Sequence, residues 1–203
     1  MEKLSSKPAG VIIEGVSKSY TVNKSKLVAV NNISFEVPSG TLFGLIGPDG
    51  AGKTTLFRML TTLLLPDTGN IWVDGLNAVS DYKALRKKIG YMPGKFSLYT
   101  DLTVQENIHF FASLFETSFD KNYDLIKEIH EQIAPFKDRR AGQLSGGMKQ
   151  KLALCCALIH RPSILFLDEP TTGVDAVSRK EFWEILQRLK TEGITIMVST
   201  PYM

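Results

Sequence analysis

The stretch GPDGAGKTT, Gly47 to Thr55, limits more than any other what this chain can fold into. It fits G-x-x-x-x-G-K-[ST] at every defined position. An apolar run, TLFGLI from Thr41 to Ile46, precedes it, and a helical pattern runs from Lys53 to Leu64. Strand, glycine loop and helix in that order form a cradle for phosphate. Glycines at 47, 50 and 52 let the backbone curl until several N–H groups point inward, and the positive end of the helix adds its field. Gly47, Pro48, Asp49, Gly50, Ala51, Gly52, Lys53, Thr54 and Thr55 are therefore expected to line a nucleotide's phosphates. Lys53 is expected to reach the terminal phosphates, and the Thr54 hydroxyl to ligate Mg²⁺. Asp49 has the wrong charge for this work and is expected to turn its side chain away.

A second element answers the first. ILFLDEP, Ile164 to Pro170, is an apolar strand ending in two acids. An Asp at the end of a neighbouring strand helps hold Mg²⁺ in phosphoryl-transfer sites, and a carboxylate beside it can polarise the attacking water. Asp168 is expected in the first role and Glu169 in the second.

Between and around these motifs the pattern alternates. VIIEGV (11–16), LVAVNNISFEV (27–37) and NIWVDG (70–75) read as strands, and IGYM (89–92) as a short apolar segment. Thr103 and Glu106 in TVQE form a capping box, followed by apolar residues at helical spacing. Helices follow over 124–133 and 145–159, so the chain from Pro93 to His160 reads as a helical insertion. A helix over 175–190 and a buried strand, ITIMV (194–198), complete a strand–helix–strand order that argues for a parallel sheet.

Composition excludes several classes. The chain has 203 residues, 43% hydrophobic and 22% charged, which suits a globular core. Its net charge of +3 does not call for nucleic acid. The two cysteines, Cys155 and Cys156, are adjacent within an apolar run and read as buried thiols. The opening MEKLSSKPAG has no apolar signal core, and no apolar run is long enough to span a bilayer. A cytoplasmic chain is expected, reaching a membrane only through a partner.

LSGGMKQ, Leu144 to Gln150, adds specificity. Together with GPDGAGKTT, LFLDEP and TTGVD (171–175), in this order, it resembles the ATP-binding-cassette (ABC) ATPases over nearly the whole chain. The resemblance implies an α/β fold: a P-loop NTPase core with a mixed sheet, an N-terminal antiparallel β-subdomain and an inserted α-helical subdomain at about 94–161. One domain across 1–203, truncated at its C-terminus, is expected. The cofactors implied are ATP and Mg²⁺, the metal on Thr54 and Asp168. Ser145, Gly146 and Gly147 open a helix with free backbone donors, and in the family such a loop closes over the ATP of a second cassette in a head-to-tail dimer. Tyr20 resembles the aromatic that stacks on adenine, and Asp175 the aspartate that communicates across the dimer. FSLYTDLTVQENI looks like the segment facing a transmembrane permease, and is most similar to cassettes of exporters.

Two positions depart from the family pattern. Its glutamine after the strand aligned with IGYMP is Gly94 here, and the histidine that closes its last core strand is Pro201. Neither Gln105 nor Gln143 is near enough in sequence to replace the first, and His109, His130 and His160 fall in the helical part. Three functions follow as expectations: the ATPase subunit of a transporter with Glu169 as base, a degenerate cassette that binds MgATP and lends its LSGGMKQ loop to a competent partner, or a soluble cassette outside transport.

Overall fold

The computed structural model describes residues 9–95 and 97–201. The opening eight residues, Phe96, and the Tyr202–Met203 end of the tail lie outside the described residues. Strands β1 (Ala9–Val22) and β2 (Ser25–Pro38) form an antiparallel hairpin, followed by β3 (Leu42–Ile46) and α1 (Lys53–Leu60). Then come β4 (Thr68–Val73), β5 (Leu76–Asn77), α2 (Tyr82–Arg86) and β6 (Ile89–Met92). The helical layer holds α3 (Val104–Leu114), α4 (Tyr123–Ile133) and α5 (Gly146–Leu158). The chain returns through β7 (Ile164–Asp168), α6 (Ala176–Thr191) and β8 (Thr195–Thr200).

Both strand senses implied by the sequence are present, divided between two sheets. One is antiparallel, in the order β2-β1-β4-β5, and the other is parallel, in the order β3-β8-β7-β6. The parallel sheet is covered on both faces, which explains the unbroken apolar runs of β7 and β8. Side chains alternate across a strand. Leu165, Leu167, Ile196 and Val198 join the core beneath the helical layer. Ile164, Phe166 and Met197 join the core shared with α1 and the antiparallel sheet.

Local chemistry sets the boundaries. Thr103 accepts from the Glu106 N–H at 3.1 Å while the Glu106 carboxylate accepts from the Thr103 N–H at 2.8 Å, so the expected capping box starts α3. The helix begun at Lys53 ends at Leu60, four residues before the expected Leu64. Thr62 takes a left-handed φ of 62°, and the N–H groups of Thr62 and Leu63 bond back to Met59 and Arg58. That reversed closure satisfies the last carbonyls and stops the helix. TVNKSK, irregular in sequence, is a regular hairpin: Asn23 and Lys24 both take positive φ, as a two-residue turn between twisted strands requires. Helix α2 has too few apolar positions to be seen from periodicity and rests on buried Leu85.

Strand β6 runs against α5 at Gly90, where a Cβ would stand 2.5 Å from the Ala157 carbonyl oxygen. Gly90→Ala is expected to lower the unfolding free energy by about 1–3 kcal/mol through overpacking. Urea denaturation should show a reduced midpoint with an unchanged slope.

Candidate functional site

All four strands of the parallel sheet point the same way, so their C-terminal ends share one edge, where open α/β sheets place their ligands. Here Ile46 pairs with Thr200 and Asp168 with Ser199. The loop from Gly47 to Gly52 leaves β3 at this edge. Its first N–H, on Gly47, donates to the Thr200 carbonyl at 3.3 Å, and the Ala51 N–H donates back to Pro48 at 3.2 Å. Gly50 and Gly52 take φ of 80° and 87°. A side chain at Gly52 would also collide with the Ala29 carbonyl on β2, so that glycine is required on two counts.

Lys53 opens α1 with only 6% of its surface exposed. Its ammonium donates to Gly47 O at 2.7 Å and Pro48 O at 3.0 Å, and stands 3.4 Å from a Glu169 carboxylate oxygen. Two hydrogen bonds and an ion pair thus compensate the buried ammonium, as burial of a charge demands. These partners are two neutral carbonyls and one carboxylate; phosphate oxygens at the loop would offer charged acceptors to the same donors. Asp49 is out in solvent at 89% side-chain exposure, with its carboxylate 3.9 Å from the Lys53 ammonium. Thr54 follows in the first turn of α1. Thr55 Oγ1 lies 3.3 Å from the Tyr20 hydroxyl, which brings the end of β1 onto the phosphate-loop helix.

Asp168 is buried and Glu169 half-buried at the end of β7. Asp168 lies on the α1 side of the sheet, in step with Ile164 and Phe166. Its Oδ1 accepts from the Ser199 hydroxyl at 2.5 Å. Among the described residues no hydrogen bond engages its Oδ2. Glu169 turns sharply, with φ of 50°, a strained value for a side-chain-bearing residue. Oxygen donors of this kind, a threonine hydroxyl and an aspartate, suit a hard cation such as Mg²⁺. No cluster of three or more acidic, histidine or cysteine ligands exists among the described residues. A metal at this edge would therefore draw most of its ligands from phosphate and water.

Ser145, Gly146 and Gly147 lie elsewhere. Ser145 caps α5 by accepting from the Met148 N–H at 3.3 Å, and the two glycines lie against Gly173 and Ser178 at the start of α6. Among the described residues no hydrogen bond or ion pair joins them to the 47–55 loop. Asp175 caps α6, accepting from the Ser178 N–H at 2.9 Å and the Val177 N–H at 3.1 Å. The Ser178 bond holds its carboxyl below the usual range.

Sequence reasoning passed over Ser199 and Tyr91. Ser199 is a lone hydroxyl in a buried strand, and that mismatch was the available signal. Tyr91, on β6, has its phenol pushed up to about 12, first by burial and then by the nearby Asp168 charge, so it stays protonated. The histidines all belong to the helical layer. His160 is partly buried, stacked on Phe115 with ring centroids 3.7 Å apart, its Nε2 2.9 Å from Ile89 O. Cys155 and Cys156 are buried free thiols, pushed upward by burial and therefore inert. Between this layer and the strand edge runs a groove of about 720 Å³, floored by Ala153, Cys156 and Ala157 and bordered by Lys83, Arg86 and Lys87.

A phosphate loop, an acidic strand end beside it and a glycine-opened helix on an inserted layer together define a nucleotide-binding cassette. The chain belongs to the ABC transporter family, whose profile matches residues 30–172. It is 46% identical over 197 residues to the probable multidrug ABC transporter ATP-binding protein YbhF of Escherichia coli K12, covering 96% of this chain and 34% of that protein. It is 42% identical over 193 residues to the Nod factor export ATP-binding protein I of a Rhizobium strain, N33, covering 94% of this chain and 62% of that one. The chain thus spans between a third and two thirds of these relatives' lengths. Among solved structures it resembles the ATP-binding cassette MJ0796 in a dimeric post-hydrolysis state with ADP and Pi. The TM-score is 0.83 at 26% identity, over 94% of this chain and 87% of that one.

The contact between α5 and α6 gives a test. A Cβ on Gly147 would lie 2.7 Å from Ser178 Oγ and 2.9 Å from its Cβ. Gly147→Ala is expected to cost about 1–3 kcal/mol. In a Ser178→Gly background it should become neutral or favourable, because alanine is the better helix former by about 1 kcal/mol. Additive denaturation midpoints would contradict the contact.

Proposed function

We propose that this chain is the ATP-binding cassette of an exporter-type membrane transporter, binding MgATP at the edge where β3, β8 and β7 end. The observation that carries the reading is the meeting of Lys53 and Glu169 at 3.4 Å, phosphate loop to strand end, across two different strands. The phosphates lie on the 47–55 amides and Lys53, and Tyr20 stacks on the base. Mg²⁺ is held by Thr54 and Asp168, and Glu169 orients the water. Ser145, Gly146 and Gly147 serve the ATP of a second cassette in a head-to-tail pair, a reading supported by the dimeric state of a related cassette. The helical layer, 94–161, acts as one subdomain. Its groove takes a cytoplasmic segment of the transmembrane partner, placing this chain at the inner face of the membrane. No helix of the described residues is long and apolar enough to cross a membrane itself.

A second reading is favoured by the strand ends. Gly94 offers no side chain to the site, and a Cβ there would stand 3.0 Å from the Asp168 carbonyl oxygen, so a larger residue requires a small local shift of the backbone. Pro201 follows the Thr200 carbonyl that receives the Gly47 N–H and supplies no imidazole. On this reading the site binds MgATP and hydrolyses it slowly, and transport draws on a competent partner cassette.

Gel filtration with MgATP distinguishes the readings. A slow site should keep the unmodified chain dimeric, whereas a competent one should dimerise stably only as Glu169→Gln. Lys53→Ala should abolish ATP binding in both cases, and its unaltered binding would overturn the site. Gly94→Gln with Pro201→His should raise single-turnover hydrolysis by roughly 10²–10³, the usual worth of one preorganised transition-state group.

A further inference from the structure

The geometry points to Ser199 as a positioning residue that sets both acids of the site from one buried hydroxyl. This rests on the reading of the strand edge as a MgATP site. Ser199 is fully buried near the end of β8, directly opposite Asp168 in the parallel register. Its Oγ accepts from the Glu169 N–H at 3.1 Å. A hydroxyl has one hydrogen, so that hydrogen is free for Asp168, where Oδ1 lies 2.5 Å away. The directions are thereby assigned: Glu169 N–H to Ser199, Ser199 O–H to Asp168.

Two consequences follow. The bond to Oδ1 fixes the rotation of the Asp168 carboxylate and leaves Oδ2 without a described hydrogen bond, as the oxygen available to a metal or its water. The bond from the Glu169 N–H, shared with the Ser199 carbonyl at 3.1 Å, holds the strained turn that aims Glu169 at Lys53. The next residue along β8, Thr200, accepts from Gly47 N–H on the phosphate loop. Ser199 thus orients the metal-side carboxylate at the strand that also anchors the loop.

The test is titration of a fluorescent ATP analogue into the purified chain, once in EDTA and once in Mg²⁺. Unmodified chain should bind in both and more tightly with the metal; absence of binding in both would overturn the site reading itself. Ser199→Ala should reduce the metal-dependent tightening about tenfold, as expected for losing one hydrogen bond to a charged group. Its affinity in EDTA should stay within about twofold, because the phosphate loop is untouched. Ser199→Cys, close in size but a weak donor, should behave like alanine, which separates the hydroxyl's role from a packing defect. Ser199→Thr should retain the tightening. Full metal tightening in both Ser199→Ala and Ser199→Cys, or an equal loss in EDTA, would overturn the assignment.

Discussion

Strand β8 pairs with β3 on one side and β7 on the other, and the bonds made by its last two residues hold both loops of the site. Thr200 receives the first N–H of the phosphate loop, while Ser199 receives the N–H of Glu169 and donates to Asp168. The phosphate loop and the acidic strand end are far apart in the chain. They become one site because a third strand fixes their heights to a single register. A slip of β8 by one residue would put Val198 or Thr200 opposite Asp168 in place of Ser199 and turn the buried faces of the strand inside out.

The register also decides which face each group meets. Met197 and Phe166 lie on the α1 side with Asp168. Val198 and Leu167 lie beneath the helical layer. The same alternation that fills the two cores aims the acid at the loop. Burial of Lys53 depends on this arrangement too. An ammonium 6% exposed is tolerable only when its charge is compensated, here by hydrogen bonds to the Gly47 and Pro48 carbonyls and an ion pair with Glu169.

The helical layer works by separation. It holds Ser145–Gly147 against the start of α6, where a Cβ at Gly147 would crowd the Ser178 side chain. Among the described residues no hydrogen bond or ion pair joins this helix start to the chain's own phosphate loop. The phosphate loop and the glycine-opened start of α5 thus lie apart within one chain, which is the physical basis for proposing a pair of cassettes as the functional unit. Gly94, under the Asp168 carbonyl, lies where this layer leaves the sheet. Any motion of the layer there would be felt at the strand edge.

Much of this was legible in the residues. The phosphate loop, the acids after ILFL, the capping box of α3 and the helix starts at Ser145 and Asp175 depend on neighbours in the chain, so local chemistry determined them. The early end of α1 and the two-residue turn at Asn23–Lys24 escaped because left-handed φ at Thr62 and Lys24 has no glycine to mark it, and Asn23 alone is a weak turn signal. The role of Ser199 escaped for a different reason. A serine within ITIMVST is one small polar residue in an apolar run, and its meaning comes from Asp168, 31 positions away in sequence and opposite it in register. By itself, then, the sequence determined the groups on offer: a glycine-rich loop with a lysine, an aspartate and a glutamate at a strand end, and a glycine-opened helix start. Only the tertiary structure decided which of these meet, because parallel pairing across distant strands aligns the first three at one edge and packing of α5 on α6 keeps the fourth apart.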